Sequence, residues 1–119
     1  MSPIEMKRVG HAYHNLNSTV AFIGDVDWEV GHFQIENFHE IDGGLDFYAP
    51  QTCQNGAGER IMVAWMQMWQ RNIPSHELKH GWAGMMTLPR KLSLIEGYLA
   101  QQPIEGLKNY QTVVYEWSG

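Results

Sequence analysis

Asp42-Gly43-Gly44-Leu45-Asp46-Phe47-Tyr48-Ala49-Pro50-Gln51 is the stretch on which the reading of the whole chain turns. Two carboxylates flank a pair of glycines, and an aromatic pair follows. Gly43-Gly44 admits backbone angles that other residues avoid, which marks a tight turn or a close approach. Residues 45–49 then read as a short strand. Pro50, with no N–H to donate, ends that strand or confines it to a sheet edge. Asp42 and Asp46 therefore fall at the mouth and first turn of a strand, where rigid scaffolds present polar groups to small ligands. The plainer alternative is that Asp42 caps the turn and Asp46 is solvated, which is the ordinary use of Asp beside Gly. The residues alone leave both readings open.

Downstream, residues 54–58 carry a strong turn signal in Asn55-Gly56-Ala57-Gly58. Residues 60–69 are the longest apolar stretch, with Gln67 alone polar inside it. Such two-sided apolarity suits a strand buried on both faces, and the flanking turns favour it over a buried helix. Residues 70–80 read as a polar loop around Pro74, and residues 82–88 as a further strand stopped at Pro89. Residues 91–95 and 98–101 predict a hairpin across Glu96-Gly97. Residues 103–109 lead out, and residues 112–117 are a candidate last strand.

Upstream, residues 4–9 predict a short strand, and residues 19–23 a buried β-branched strand ending at Gly24. Residues 25–31 turn, with Trp28 inside. Residues 32–41 alternate as a half-buried strand, and Phe38 and Ile41 fall out of phase, which calls for a bulge or bend. The count is about seven or eight short strands with no amphipathic helix, which indicates an all-β sandwich or propeller. No repeat of 40–50 residues stands out to separate the two.

At 119 residues the chain is one domain or part of one. With 44% hydrophobic and 18% charged residues it is globular. A net charge of −5 gives no basic footprint for nucleic acid. No run approaches a membrane span, and the amino terminus lacks the charged-then-apolar pattern of a secretory signal. Cys53 is alone, so no internal disulfide forms, and a cytoplasmic location is the expectation. Five Trp, five Tyr and four Phe suit a sheet protein or a site where rings stack on sugars.

The stretch 42–51 resembles the D-x-G-x-DFYAPQ segment of bacterial family 32 glycoside hydrolases, the β-fructosidases. Two further blocks follow in the family's order. Arg60-Ile61-Met62-Val63-Ala64-Trp65-Met66 is similar to its GRRI-x-x-GWM strand. Residues 81–92, GWAGMMTLPRKL, are similar to its GWAG-x-x-TLPREL segment. The resemblance implies a fragment, about one and a half to two blades, of a five-bladed β-propeller. It places the fragment in the C-terminal part of that propeller, with residues 1–102 as its last blades. Residues 103–119 would begin a linker toward a β-sandwich.

His76-Glu77-Leu78-Lys79-His80 matches H-E-x-x-H, the zinc-protease pattern, which needs a helix with both His on one face. Ser75 could cap such a helix, but Gly81 ends it after little more than one turn. The stretch also resembles the loop before GWAG in bacterial β-fructosidases, which binds no metal. The expectation is no metal and no cofactor.

Retaining glycosidases need a carboxylate nucleophile and a carboxylic acid about 5 Å apart. In family 32 these acids lie in W-x-N-D-P-N-G, R-D-P and E-C motifs. The chain contains no Asn-Asp-Pro, no Arg-Asp-Pro and no Glu-Cys. No catalytic residue is therefore assigned, and the chain alone is expected to be inactive. The resemblance implies that Asp42 and Asp46 tune a neighbouring acid or bind sugar hydroxyls, and that Tyr48 and Trp65 face the fructosyl ring. Pure core packing remains the alternative for Trp65, and Arg90 is expected to bond structurally. The expected partner is a fructosyl-containing sugar. Cut blades leave apolar faces and unpaired strand edges, so self-association is also expected. A non-catalytic carbohydrate-binding or interaction remnant is the second function class.

Overall fold

The computed structural model describes residues 18–44, 46–69 and 71–112. They form two antiparallel sheets. The first is a hairpin of β1 (Val20–Asp27) and β2 (His32–Glu40). The second is a meander of β3 (Tyr48–Gln54), β4 (Arg60–Trp65), β5 (Arg90–Ile95) and β6 (Tyr98–Pro103), in that order across the sheet. One short helix, α1 (Pro74–Glu77), and a 3-10 turn (Glu105–Tyr110) complete the described elements. The all-β expectation holds. The strands expected over 4–9 and 113–117 lie outside the described residues, and Thr112 is not in a strand.

β4 runs between β3 and β5, so its backbone is bonded on both sides. Met62 and Ala64 are buried on one face, and Ile61, Val63 and Trp65 are half-buried on the other. The expected strand is there, with one face buried as expected and the other covered only in part. It stops at Trp65 rather than 69, where the chain bends. Glu96 (φ 50°) and Gly97 (φ 78°) form the predicted β5–β6 turn. Two consecutive positive φ values match the twist of the flanking strands.

Four expectations need correction. β3 begins at Tyr48 rather than at 45, and Pro50 does not end it but lies on a sheet edge, the second of the two alternatives expected for it. Its register passes from Tyr48 opposite Trp65 to Gln51 opposite Val63, so three steps face two. The proline sits in this bulge on an edge strand, where its missing N–H breaks no ladder. β1 likewise does not end at Gly24. Ile23 faces Asn37 and Gly24 faces Ile35, leaving Glu36 as an extra residue on β2. A Cβ on Gly24 would lie 1.9 Å from the Gln34 carbonyl oxygen, so glycine serves close approach here, not termination.

The segment 82–88 is not a strand. It makes one isolated bridge, Trp65 to Met86, with Met66 N–H donating to the Met85 carbonyl at 2.8 Å. A positive φ at Gly84 and the proline at 89 break the ladder on either side. Finally, β1 is not buried on both faces. One face of the hairpin, with Ala21, Asn37 and His39, meets the meander: Ala21 joins the core, Asn37 donates to the Gly97 carbonyl and His39 lies against Tyr98. The other face leaves Phe22, Val26, Phe33 and Ile35 exposed.

The core is small. Ile41, Phe47, Met62 and Ala64 are buried together, with Ala21, Leu92 and Leu99 against them. Ile41 and Phe47 bracket the glycine pair, so apolar burial at both ends pins the loop that carries Asp42 and Asp46.

Candidate functional site

Asp42 uses both carboxylate oxygens. Oδ1 accepts from the Gly44 N–H at 2.8 Å, the turn cap of the plainer reading. Oδ2 accepts from Arg90 Nη1 at 2.7 Å. Arg90 opens β5 and also donates to Gln101 Oε1 on β6 at 3.0 Å. Gln101 in turn donates from Nε2 to the Ile41 carbonyl. The Arg90 guanidinium lies 5.0 Å from the centre of the Phe47 ring. The loop is thus closed onto β5 and β6, and Arg90 has the structural role expected of it.

Asp46 is not solvated, contrary to the plainer alternative. Its side chain is 12% exposed, and Oδ2 accepts from Arg71 Nη1 at 2.9 Å. Arg71 comes from the loop after β4 and is 48% exposed.

Asp42, Asp46, Arg71 and Arg90 line one cleft of about 540 Å³. Its other walls come from Met66-Gln67, from the start of α1, and from the loop carrying His80, Trp82 and Thr87. Two carboxylates, each balanced by a guanidinium, make a wall of acceptors and donors suited to hydroxyl groups. Each of the two carboxylates is held by its own cation.

Tyr48 and Trp65 are not in that wall. They are cross-strand partners on β3 and β4, with ring centres 6.2 Å apart. Trp69, which the sequence reading placed at the end of a buried strand, completes an aromatic trio. Its ring is 5.6 Å from Trp65 at 77° and 6.2 Å from Tyr48 at 81°, both edge-to-face contacts. It is 77% exposed. Trp65 links trio and cleft: a Cβ on Gly84, a residue of the cleft wall, would lie 2.6 Å from Trp65 Nε1. The positive φ of 78° and this approach both require glycine there.

The HELKH stretch does not form the protease helix. α1 holds four residues, and positive φ at Lys79 (55°) and Gly81 (80°) carries the chain away before His80 can share a helical face with His76. Ile73, not Ser75, is the N-cap, and no side chain caps it. Among the described residues no three His, Cys, Asp or Glu side chains gather as metal ligands. Resolved pKa shifts lie elsewhere. Glu59 and Lys91 pair at 2.6 Å beside β4 and β5. The Lys91 hydrogen bond, then that of Asn55, lowers the Glu59 carboxyl, and Glu59 raises Lys91.

Residues 1–103 match the glycosyl hydrolases family 32 N-terminal domain. The chain belongs to glycoside hydrolase family 32. This corrects the placement in a C-terminal part, since the matching domain is the family's amino-terminal one. The chain is 38% identical over 108 residues to the sucrose-6-phosphate hydrolase of Zymomonas mobilis, covering 90% of this chain and 20% of that protein. An Escherichia coli sucrose-6-phosphate hydrolase is 41% identical over 105 residues, with 87% and 21% covered. Among solved structures, a variant of the Bombyx mori family 32 β-fructofuranosidase in complex with sucrose superposes with a TM-score of 0.76. It is 36% identical, covering 90% of this chain and 23% of that one. The chain spans about a fifth of the length of the curated relatives it matches. The fold is accordingly a fragment of the five-bladed propeller, one four-stranded sheet and a strand pair beside it.

Proposed function

We propose that this chain is part of a β-fructosidase that hydrolyses sucrose, sucrose 6-phosphate or fructans with retention, and that it supplies the wall of the sugar site rather than the cutting groups. The observation that carries this reading is the family 32 match over residues 1–103 in a chain with no Asn-Asp-Pro, Arg-Asp-Pro or Glu-Cys motif. Asp42 and Asp46 bond sugar hydroxyls from the cleft, and Tyr48 and Trp65 offer ring surface beside it. Purified chain incubated with sucrose, sucrose 6-phosphate or levan releases no fructose, whereas titration with these sugars gives a saturable tryptophan fluorescence change. Turnover at the rate of an ordinary glycosidase would overturn the division of labour.

A second reading keeps the wall as a non-catalytic carbohydrate-binding module. The exposed, ring-braced Trp69 favours it. Co-expression with the remainder of a family 32 enzyme separates the two. Restored hydrolysis supports the enzyme part, and sugar binding without restoration supports the module. On either reading the chain self-associates through the surfaces that no described strand covers, the β3 edge and the apolar face of the β1–β2 hairpin. A single monomeric species in sedimentation equilibrium counts against that.

A further inference from the structure

Gln67 is the one polar residue inside the longest apolar run of the sequence. The fold buries it with its apolar neighbours, at 7% exposed. Among the described residues three polar side chains are buried, Gln67, Ser75 and Thr87, and all three line the cleft that holds Asp42 and Asp46. Thr87 is committed, its Oγ1 accepting from the Ala64 N–H at 3.1 Å. Ser75 brings a single hydroxyl on α1. Gln67 brings a whole carboxamide, and nothing among the described residues bonds to it. That amide is not sealed in. The one polar side-chain atom both sealed and unpartnered among the described residues is His39 Nδ1, which does not line the cleft.

A second unpartnered group stands beside it. Gly84, in the cleft wall, has no side chain. A Cβ there would lie 2.6 Å from Trp65 Nε1 and 3.5 Å from Gln67 Oε1. The indole N–H likewise has no acceptor among the described residues. An indole donor and a carboxamide thus converge on one spot of the wall, and no hydrogen bond joins them. A buried amide is normally bonded, because stripping it of water without replacement is costly. One left unpartnered at a cleft is met by water when the site is empty and by ligand hydroxyls when it is filled. A carboxamide offers an acceptor and a donor side by side, and the indole adds a donor, which together complement two adjacent hydroxyls on a sugar ring. We infer that Gln67, with the Trp65 indole N–H, is a sugar-binding residue of this cleft that grips a vicinal pair of hydroxyls. This rests on the carbohydrate reading. It adds a neutral contact, separate from the carboxylates of Asp42 and Asp46 and from the face of the Trp65 ring.

Calorimetric titration of the 119-residue chain with sucrose, paired with urea unfolding of the free chain, tests it. Gln67→Met keeps the volume and removes the polar atoms. It weakens sucrose binding about tenfold, the scale of a lost pair of hydrogen bonds. The free chain meanwhile keeps or raises its urea midpoint, because an unpartnered polar group has been exchanged for an apolar one. Trp65→Phe keeps a ring, loses the N–H and weakens sucrose binding about threefold. A structural Gln67 would give the opposite pattern. A lowered midpoint in Gln67→Met, or a chain that no longer folds by circular dichroism, overturns the assignment. Undiminished sucrose affinity in either variant also overturns it and leaves the carbohydrate reading standing. Failure of the unsubstituted chain to bind sucrose overturns the two together.

Discussion

Asp42 meets Arg90 at 2.7 Å with side chains 16% and 25% exposed, and Asp46 meets Arg71 at 2.9 Å with side chains 12% and 48% exposed. The carboxylates are alike in cover, and the distances are nearly equal. The cations differ. Arg90 ties the loop to β5, to Gln101 on β6 and to the Phe47 ring. Arg71 ties one loop to another and stands half in water. Separation alone does not rank an ion pair. What else the cation holds, and how wet it is, decides whether the pair is structure or an available site.

The largest effect expected from this difference is that of Arg90→Ala. It leaves a mostly covered carboxylate and the Gln101 amide oxygen without their donor, and costs about 2 kcal/mol. A lower urea midpoint at unchanged slope reports it. A loss below about 0.5 kcal/mol would put Arg90 in the class of exposed pairs and remove the contrast. Arg71→Ala should cost about 0.5 kcal/mol or less, because its half-exposed cation is screened by solvent. An unfolding midpoint lowered as far as in Arg90→Ala would make both pairs structural. The smallest effect belongs to Glu59 and Lys91, an exposed pair that serves as a reference for both. The folded carboxyl of Glu59 is lowered, so its contribution is present above the ordinary glutamate range. It is lost as pH falls through the lowered value. Lys91 is raised, so its share is lost only as pH rises past the ordinary lysine range. Glu59→Gln should flatten the acid side of a melting-temperature profile slightly, and added salt should mimic it.

Much of the fold was legible where pattern and burial agree. The two-sided apolarity of β4 and the Glu96-Gly97 turn needed no tertiary information. The segment 82–88 misled because Trp82, Met85, Met86 and Leu88 read as a strand to be buried. In the fold they are 52%, 53%, 59% and 62% exposed. Apolar pattern signals burial only if the chain itself supplies the cover. At the site, the glycine pair and the family segment pointed to Asp42 and Asp46. Their partners were out of reach of local reading, since Arg71 lies 25 positions from Asp46 and Arg90 lies 48 from Asp42. Trp69 was hidden by the same run that revealed β4. The bend at Met66 that frees it leaves no mark in hydrophobicity.

The bulge at Glu36 makes one residue of the hairpin dispensable in number. Removing it leaves every cross-strand partnership from Val20–Glu40 to Asp27–His32 intact, with inward and outward side chains unchanged. It would also straighten β2, whose Gln34 carbonyl leaves no room for a side chain on Gly24. The surplus residue on one strand and the missing side chain on the other are two halves of a single accommodation. A relative that has dropped the first is free to replace the second.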